Sequence, residues 1–315
     1  MILDIINGIR SRERRFIAKG ISLVENNSPH ADFLLSELFT DIGHSYRIGI
    51  TGPPGAGKSS LANKLIQLIR SYNKTVAVLG IDPTSPFTGG ALLGDRIRMM
   101  DHYDDQDVYI RSMASRGNYG GLARGTQEVG DILDAAGYDI ILYETVGVGQ
   151  VEIDVIQTSD TVIVVLVPES GDDIQMMKAG LMEIADIFAI NKSDRPSSNK
   201  LFISINNIIS GIPHDEHSWI PKVNKTVALS GDGIEDLWKN INDHKNYVQK
   251  TGIQQVRVRD INGMARIEVD CNSLRLLNLP EIKNEIFSKL IMIGFSEVEI
   301  DPEGYKSGQL NVIEN

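Results

Sequence analysis

Gly52-Pro-Pro-Gly-Ala-Gly-Lys-Ser59 has the spacing G-x-x-x-x-G-K-[ST] of a phosphate-binding loop. Glycines at 52, 55 and 57 admit backbone angles closed to residues with a Cβ, so successive N–H groups can point inward at phosphate oxygens. The expected cradle comprises Gly52, Pro53, Pro54, Gly55, Ala56, Gly57, Lys58, Ser59 and Ser60. Lys58 would reach the β- and γ-phosphates, the Ser59 hydroxyl would ligate Mg²⁺, and the following helix N-terminus adds positive potential. A glycine-rich turn without a ligand is the alternative. The apolar run Ile48 to Thr51 before the loop and the helical spacing of Leu61, Leu65, Leu68 and Ile69 after it weigh against that.

Three further stretches extend the chemistry. Asn191-Lys192-Ser193-Asp194 follows the apolar run Ile187 to Ile190 and fits N-K-x-D. An Asp carboxylate there accepts from guanine N1–H and the exocyclic amine together, whereas adenine would leave it unpaired. In Glu144-Thr-Val-Gly147-Val-Gly-Gln150, Glu144 is placed to hold Mg²⁺ through water and Gly147 to offer its N–H to the γ-phosphate. Val148 stands where small signalling GTPases often carry a water-orienting glutamine, so hydrolysis should be slow unless Gln150 or a carboxylate orients the water. Asp82 and Asp95 supply such carboxylates, with Gly89, Gly90 and Gly94 giving the stretch between them switch-like freedom. Their bland reading is an Asp that starts a turn and an Asp that caps a helix.

The elements that must position these residues alternate in type. Candidate strands are Arg47–Thr51, Thr75–Ile81, Val108–Arg111, Asp139–Glu144, Thr161–Val167, Ile187–Asn191 and Thr226–Leu229, with helical patterns at Asp173–Ile184 and Ile234–Ile241 among those between. This predicts an α/β fold with a doubly wound, mainly parallel sheet, whose ligands sit beyond the carboxyl ends of the strands. Before it, residues 9 to 38 read as helical, with Arg10 to Arg15 expected to form a solvated face. After it, Asn242 to Gln255 reads as a linking helix or arm. Val256–Arg259 and Ala265–Asp270 then alternate as half-buried strands, Pro280–Ile293 is helical in spacing, and Phe295–Ile300 reads as a last strand. The expected division is a helical extension over 1–45, a phosphate-loop domain over 46–245 and a small α+β module over 254–315.

Composition bounds the partners. The 315 residues carry 31 Lys plus Arg against 42 Asp plus Glu, a net charge of -11, which argues against sequence-independent nucleic-acid binding. Cys271 is the single cysteine, so no intramolecular disulfide or thiol-rich metal site is expected. No apolar run approaches the ~20 residues a membrane span needs, and the N-terminus lacks a signal-peptide layout. A cytoplasmic protein with no membrane partner is the expectation.

Taken together, several runs resemble one family. They are Asp82-Pro with Gly89-Gly and Leu93-Gly-Asp-Arg96, Arg111-Ser-Met-Ala-Ser-Arg-Gly117, Gly120-Gly-Leu-Ala123, Glu144 to Gln150, Gly171-Asp-Asp-Ile-Gln175, and Lys178 to Asp186 leading into Asn191-Lys-Ser-Asp194. They resemble the MeaB/ArgK family of methylmalonyl-CoA mutase-associated GTPases over about residues 10 to 241. The resemblance implies a SIMIBI-type G domain, a homodimer, GTP or GDP with Mg²⁺ as cofactors, and a cobalamin-dependent mutase as partner. By position it implies Lys58 and Ser59 at the phosphates and Mg²⁺, Asp82, Asp95 and Glu144 as acidic metal and switch residues, and Asn191, Lys192 and Asp194 at the base. With the motif reading of Gln150, the expected catalytic residues are Lys58, Asp95 and Gln150, and the metal residues Ser59, Asp82 and Glu144. The usual Ser-Ala of the fifth motif reads Val227-Ala228 here, so the Ala228 N–H can meet the guanine oxygen without a serine's support.

The tail differs. Val256 to Arg259, Ala265 to Val269, Gly294-Phe295 and Asp301 to Asn311 resemble the C-terminal end of LarE-type sulfur transferases. Arg257 and Arg259 would share one strand face, either as an anion clamp or as two surface arginines. An alternative function follows, a nucleotide-switched binding module whose tail docks a sulfur-transfer or metal-cofactor assembly partner. A nickel-insertion GTPase would need clustered His or Cys ligands, which the sequence does not carry. His214 and His217 read as part of a solvated loop, and Met99, Met100, Met176 and Met177 as core or interface filler. Any of Arg96, Arg98, Arg111, Arg116 and Arg124 could serve the transition state.

Overall fold

Strands with Val and Ile at consecutive positions have no polar face to turn to water, so helices must cover them on both sides. The computed structural model describes residues 2–83, 102, 104–115, 121–145, 158–169, 184–211, 219–250, 256–261, 263–269, 277, 280–292 and 294–301. Within them the chain runs α1 (Ile2–Arg10), α2 (Arg14–Glu25), α3 (Ala31–Leu38), β1 (Tyr46–Thr51), α4 (Lys58–Ser71), β2 (Val76–Pro83) and β3 (Val108–Ser115). It continues with α5 (Gly121–Ala135), β4 (Ile140–Thr145), β5 (Thr161–Leu166), β6 (Ile187–Ile190), α6 (Ser198–Ser210), β7 (Lys222–Lys225) and α7 (Ile234–Lys250). Last come β8 (Val256–Ile261), β9 (Met264–Val269), α8 (Pro280–Met292) and β10 (Glu297–Ile300).

Seven strands form one sheet in the order β3-β2-β4-β1-β5-β6-β7, all neighbours parallel. The chain winds outward from β1 in one direction through β2 and β3, then in the other through β5, β6 and β7. The loop after β1 therefore opens at the topological switch point, where ligands bind in such sheets. The pleat sorts side chains by the expected period of two. Ile48, Ile50, Ile140, Leu142, Ile163 and Val165 pack under α4 and α7, with Leu61, Leu65, Ile69, Leu237 and Ile241. Ile141 and Tyr143 face the other way, into a core shared by α1, α2, α3 and α5. Val162, Val164 and Leu166 meet α6 through Leu201, Ile205 and Ile209. The doubly wound α/β expectation holds, with the helical region before the sheet and a small extra sheet after it.

Several local expectations change. The first helix begins at Ile2, because Ile5, Ile6 and Ile9 make a buried stripe against α2 and α3. The expected solvated face over Arg10 to Arg15 holds for the exposed Arg10 and Arg15, while Arg12 and Arg14 are part-buried joints. Arg10 bonds the Glu37 carbonyl and Asp41, each at 2.8 Å. Arg12 caps the end of α5 at the Ala136 and Gly137 carbonyls. Arg14 donates to the Asp105 and Val108 carbonyls at 2.6 and 2.5 Å. A guanidinium fits this task because its fork can satisfy several carbonyls that secondary structure leaves over. The seventh strand is Lys222–Lys225, not Thr226–Leu229. Apolar Val227-Ala-Leu229 looks strand-like, yet the chain turns there, closing Gly231 N–H on the Val227 carbonyl at 2.8 Å and leaving Leu229 85% exposed. Residues 242–250, read as the start of a linking helix or arm, are helical and continue α7. The helix expected over Asp173–Ile184 falls almost wholly outside the described residues.

Two buried polar clusters pin the amino ends of the strands. Arg47 on β1 bonds Asp131 at 2.7 Å and Asp134 at 3.3 Å, both on α5. Asp134 also accepts the N–H groups of Gly43, His44 and Ser45, tying the entry to β1 down. Burial opposes the Arg47 charge, but Asp131 and Asp134 beside it outweigh that and hold the guanidinium firmly protonated. On the opposite face Thr161 Oγ1 meets Tyr46 Oη and, at 2.8 Å, His244 Nδ1, while His244 Nε2 lies 3.3 Å from Asp186. Burial pushes Asp186 up to about 6 and His244 down to about 4.

In the C-terminal region β8 pairs antiparallel with β9, and β9 pairs parallel with β10. Ile267, Val269 and Leu277 form its small core, with Ile286, Phe287 and Leu290 of α8 packed against it. Arg257 and Arg259 stand in register with Glu268 and Arg266. Among the described residues no helix is long and apolar enough to cross a membrane.

Candidate functional site

The loop between β1 and α4 takes its shape from three left-handed glycines, Gly52 at φ 135°, Gly55 at 74° and Gly57 at 90°. Two of them are also close approaches. A Cβ on Gly52 would lie 2.1 Å from the Val165 carbonyl oxygen of β5, and one on Gly57 would lie 2.3 Å from Asn191 Nδ2. The loop is thus wedged between β5 and the turn after β6, and side chains at 52 and 57 would pry it out. Lys58 opens α4 with its side chain nearly buried, its ammonium donating to the Gly52 carbonyl at 2.6 Å and the Pro53 carbonyl at 3.1 Å. The lysine is therefore drawn back over the loop that the sequence assigns to phosphate.

Ser59, one residue into α4, donates its hydroxyl to Glu144 Oε1 at 2.5 Å. Both side chains are buried, and Glu144 lies at the carboxyl end of β4 beside β1, where Ile50 is its register partner. Behind them Thr145 Oγ1 donates to Thr51 Oγ1 at 3.3 Å, linking the ends of the two strands. A hydroxyl and a carboxylate, hard oxygen donors held together at the head of a phosphate loop, fit Mg²⁺, which prefers oxygen ligands and retains water. Asp82 is the next-to-last residue of β2, two positions beyond Gly80, the register partner of Glu144. The backbone thus brings Asp82, Glu144 and Ser59 to one edge of the sheet.

The turn from Asn191 to Asp194 is locked to the same loop. Asn191 Nδ2 donates to the Ala56 carbonyl at 2.8 Å, and Asn191 Oδ1 accepts the Ala228 N–H at 3.0 Å. Lys192, in a left-handed conformation at φ 56°, donates to the Gly55 carbonyl at 2.9 Å. The buried Asn191 amide therefore joins three segments distant in sequence, and the adjoining Asp194 stays exposed. The sequence reading gave the Ala228 N–H to the guanine oxygen; in this structure it is engaged by Asn191. Arg195 pairs with Glu169 across from the exit of β5. Neither this pair nor the Thr51–Thr145 link announces itself in sequence, since a lone Thr or Arg carries no motif.

Asp95, Gly147 and Gln150 lie outside the described residues, as do Arg96, Arg98, Arg116, His214, His217, Cys271 and the two Met pairs. Of the candidate transition-state arginines, Arg111 is engaged elsewhere, bonded to Glu25 and Ser22 on α2.

The family model for the methylmalonyl-CoA mutase-associated GTPase MeaB matches residues 17–275. A protein of Pyrococcus abyssi is 49% identical over 255 residues, covering 80% of this chain and 78% of its own. GTPase ArgK of Escherichia coli is 37% identical over 266 residues, covering 81% of this chain and 80% of its own. The crystal structure of an LAO/AO transport system kinase superposes with a TM-score of 0.66 at 28% identity, over 80% of this chain and 77% of that one. The mouse mitochondrial methylmalonic aciduria type A homolog is 35% identical over 211 residues, 66% of this chain and 51% of its own.

Proposed function

The chain belongs to the MeaB family of methylmalonyl-CoA mutase-associated GTPases, and from that premise we propose that its GTP cycle regulates and escorts a cobalamin-dependent mutase in the cytoplasm. The protein is a GTP-hydrolysing enzyme with a phosphate loop. The observation that carries the site assignment is the pair of hydrogen bonds joining Asn191 to Ala56 and Ala228, which fastens the turn read as base-recognising to the phosphate loop.

In this reading Lys58 leaves its loop carbonyls to meet the β- and γ-phosphates, and the N–H groups from Gly55 to Ser60 hold the remaining oxygens. Ser59, Glu144 and Asp82 are the residues that would hold Mg²⁺, which when bound would supply positive charge at the β- and γ-phosphates. Asp194 accepts from guanine N1–H and its exocyclic amine, while the stem of Lys192 lines the base. Gly147 offers its N–H to the γ-phosphate, and Gln150 or Asp95 orients the attacking water. Charge on the departing phosphate is met by Lys58 and loop N–H groups that need no reorganisation.

We divide the chain into a helical extension over 1–45, a GTPase domain over 46–245 and a C-terminal module over 254–315, and take the working unit as a homodimer. The likeness of the tail to LarE-type sulfur transferases now carries less weight, because the family match runs through β8 and β9 to residue 275.

The test is association with a purified cobalamin-dependent mutase. Addition of the mutase should accelerate GTP hydrolysis and give a complex whose stability differs between GDP and a non-hydrolysable GTP analogue. Absence of a complex in either nucleotide state would refute the partner assignment and leave the GTPase intact.

A further inference from the structure

β3 is an edge strand, hydrogen-bonded in the sheet only to β2 among the described strands. Its outer side is held by the helical prefix. Arg14 at the start of α2 donates to the Asp105 and Val108 carbonyls where β3 begins. Farther along, Arg111 donates to Glu25 and, at 3.4 Å, to Ser22 on α2. Arg111 sits between Tyr109 and Met113 on the strand face that packs into the apolar core of α1, α2, α3 and α5. Its side chain is 22% exposed and that of Glu25 19%.

A guanidinium is a costly choice there. Desolvating an arginine and a carboxylate offsets most of their attraction, and an apolar side chain of similar length would pack as well. Glu25 is also the last residue of α2, where the helix dipole disfavours an acid. What the pair adds over packing is direction, since one angle of α2 against β3 satisfies the bonds to both Glu25 and Ser22. The consequence lies a few residues on. Arg111 is in register with Leu79, Ala114 with Asp82 and Ser115 with Pro83, so the tilt of β3 under α2 sets the carboxyl end of β2.

We propose that Arg111 is a positioning residue for GTP hydrolysis. Through Glu25 it makes the α1–α3 prefix the brace that sets the β2–β3 end, and with it Asp82, against Ser59 and Glu144. The inference rests on the reading of Asp82 as a metal residue. It makes the prefix a control element, so that whatever shifts α2 retunes the metal edge of the site.

The experiment compares full-length wild type with Arg111→Met, Glu25→Gln, the charge-swapped Arg111→Glu/Glu25→Arg, and Asp82→Asn. Single-turnover GTP hydrolysis is titrated with Mg²⁺ at a temperature where circular dichroism shows each variant folded. Arg111→Met should slow hydrolysis roughly tenfold or more, as expected of a small misplacement near the reacting groups. It should also raise the Mg²⁺ needed for half-maximal rate while GDP affinity stays unchanged. Glu25→Gln should do the same more mildly, and the swapped pair should recover most of the rate. A purely structural role would lower the unfolding midpoint and leave the rate and Mg²⁺ dependence of the folded protein alone. Wild-type behaviour in folded Arg111→Met beside an impaired Asp82→Asn overturns the proposal. Indifference of Asp82→Asn overturns the metal assignment instead, and Arg111 is then judged on its own rate.

Discussion

Gly57→Ala reaches the joint on which the site depends. The position has φ 90°, and a Cβ there would lie 2.3 Å from Asn191 Nδ2. An L-residue in that conformation costs about 1–2 kcal/mol on its own. The contact also forces Asn191 to move, breaking its 2.8 Å bond to the Ala56 carbonyl and the 3.0 Å bond it accepts from Ala228. Each is worth about 1 kcal/mol net. The expected loss of stability is therefore about 3–4 kcal/mol, with a weakened grip on GDP because Lys192 and Asp194 move with Asn191. Asn191→Ala removes the same two bonds and the obstacle together, so Gly57→Ala added to it should cost only the backbone strain, about 1–2 kcal/mol. Urea denaturation of the four proteins closes the cycle, and titration with a fluorescent GDP analogue reports the site. The expected coupling of about 2 kcal/mol is well above the few tenths at which distant sites add. An additive cycle would show that Asn191 does not clamp the phosphate loop.

Ser59→Ala should abolish most Mg²⁺-dependent hydrolysis and cost about 1–3 kcal/mol of stability in urea, because the buried Glu144 loses its hydroxyl donor; unimpaired turnover would remove Ser59 from the metal site. Tyr143→Phe should be neutral or stabilising by up to about 1 kcal/mol, since the buried hydroxyl has no hydrogen-bond partner among the described residues. It should also relieve Gly130→Ala, whose Cβ would lie 2.0 Å from that hydroxyl oxygen; equal Gly130→Ala penalties in both backgrounds would contradict the packing. For Asp186, raised from 3.8 to about 6, the folded state binds the extra proton, so its contribution is present below pH 4 and is lost as pH rises through 6. His244, lowered from 6.5 to about 4, does the reverse, contributing above pH 6.5 and losing that as pH falls through 4. The two nearly cancel in wild type. His244→Gln should therefore lose about 3 kcal/mol more than wild type between pH 4 and 6.5 in denaturation series, and parallel pH profiles would refute this.

The strands carrying chemistry were legible because their apolar runs end abruptly in polar motifs. Ile48 to Thr51 before the phosphate loop and Ile187 to Ile190 before Asn191 both became strands at those places. Periodicity failed where tertiary contacts decided the outcome. Val227-Ala-Leu229 has a strand's composition, but the positive-φ glycines at 231 and 233 turn the chain back and leave Leu229 in water. Arg12 and Arg14 look like part of a solvated run because their partners are backbone carbonyls up to 125 residues away, which no local pattern encodes. Residue types and spacing supplied the candidates for the site, yet the clamp made by Asn191 depends on a turn 37 residues downstream in sequence and could be found only in three dimensions.

Single-turnover hydrolysis of GTP and ATP with Mg²⁺, by wild type and Asp194→Ala side by side, tests the central claim most directly. Wild type should strongly prefer GTP, and Asp194→Ala should lose that preference by a factor on the order of a hundred or more, because a site built around hydrogen bonds rejects a base that leaves them unmade. Equal use of ATP by wild type, or an unchanged preference in Asp194→Ala, would contradict the account.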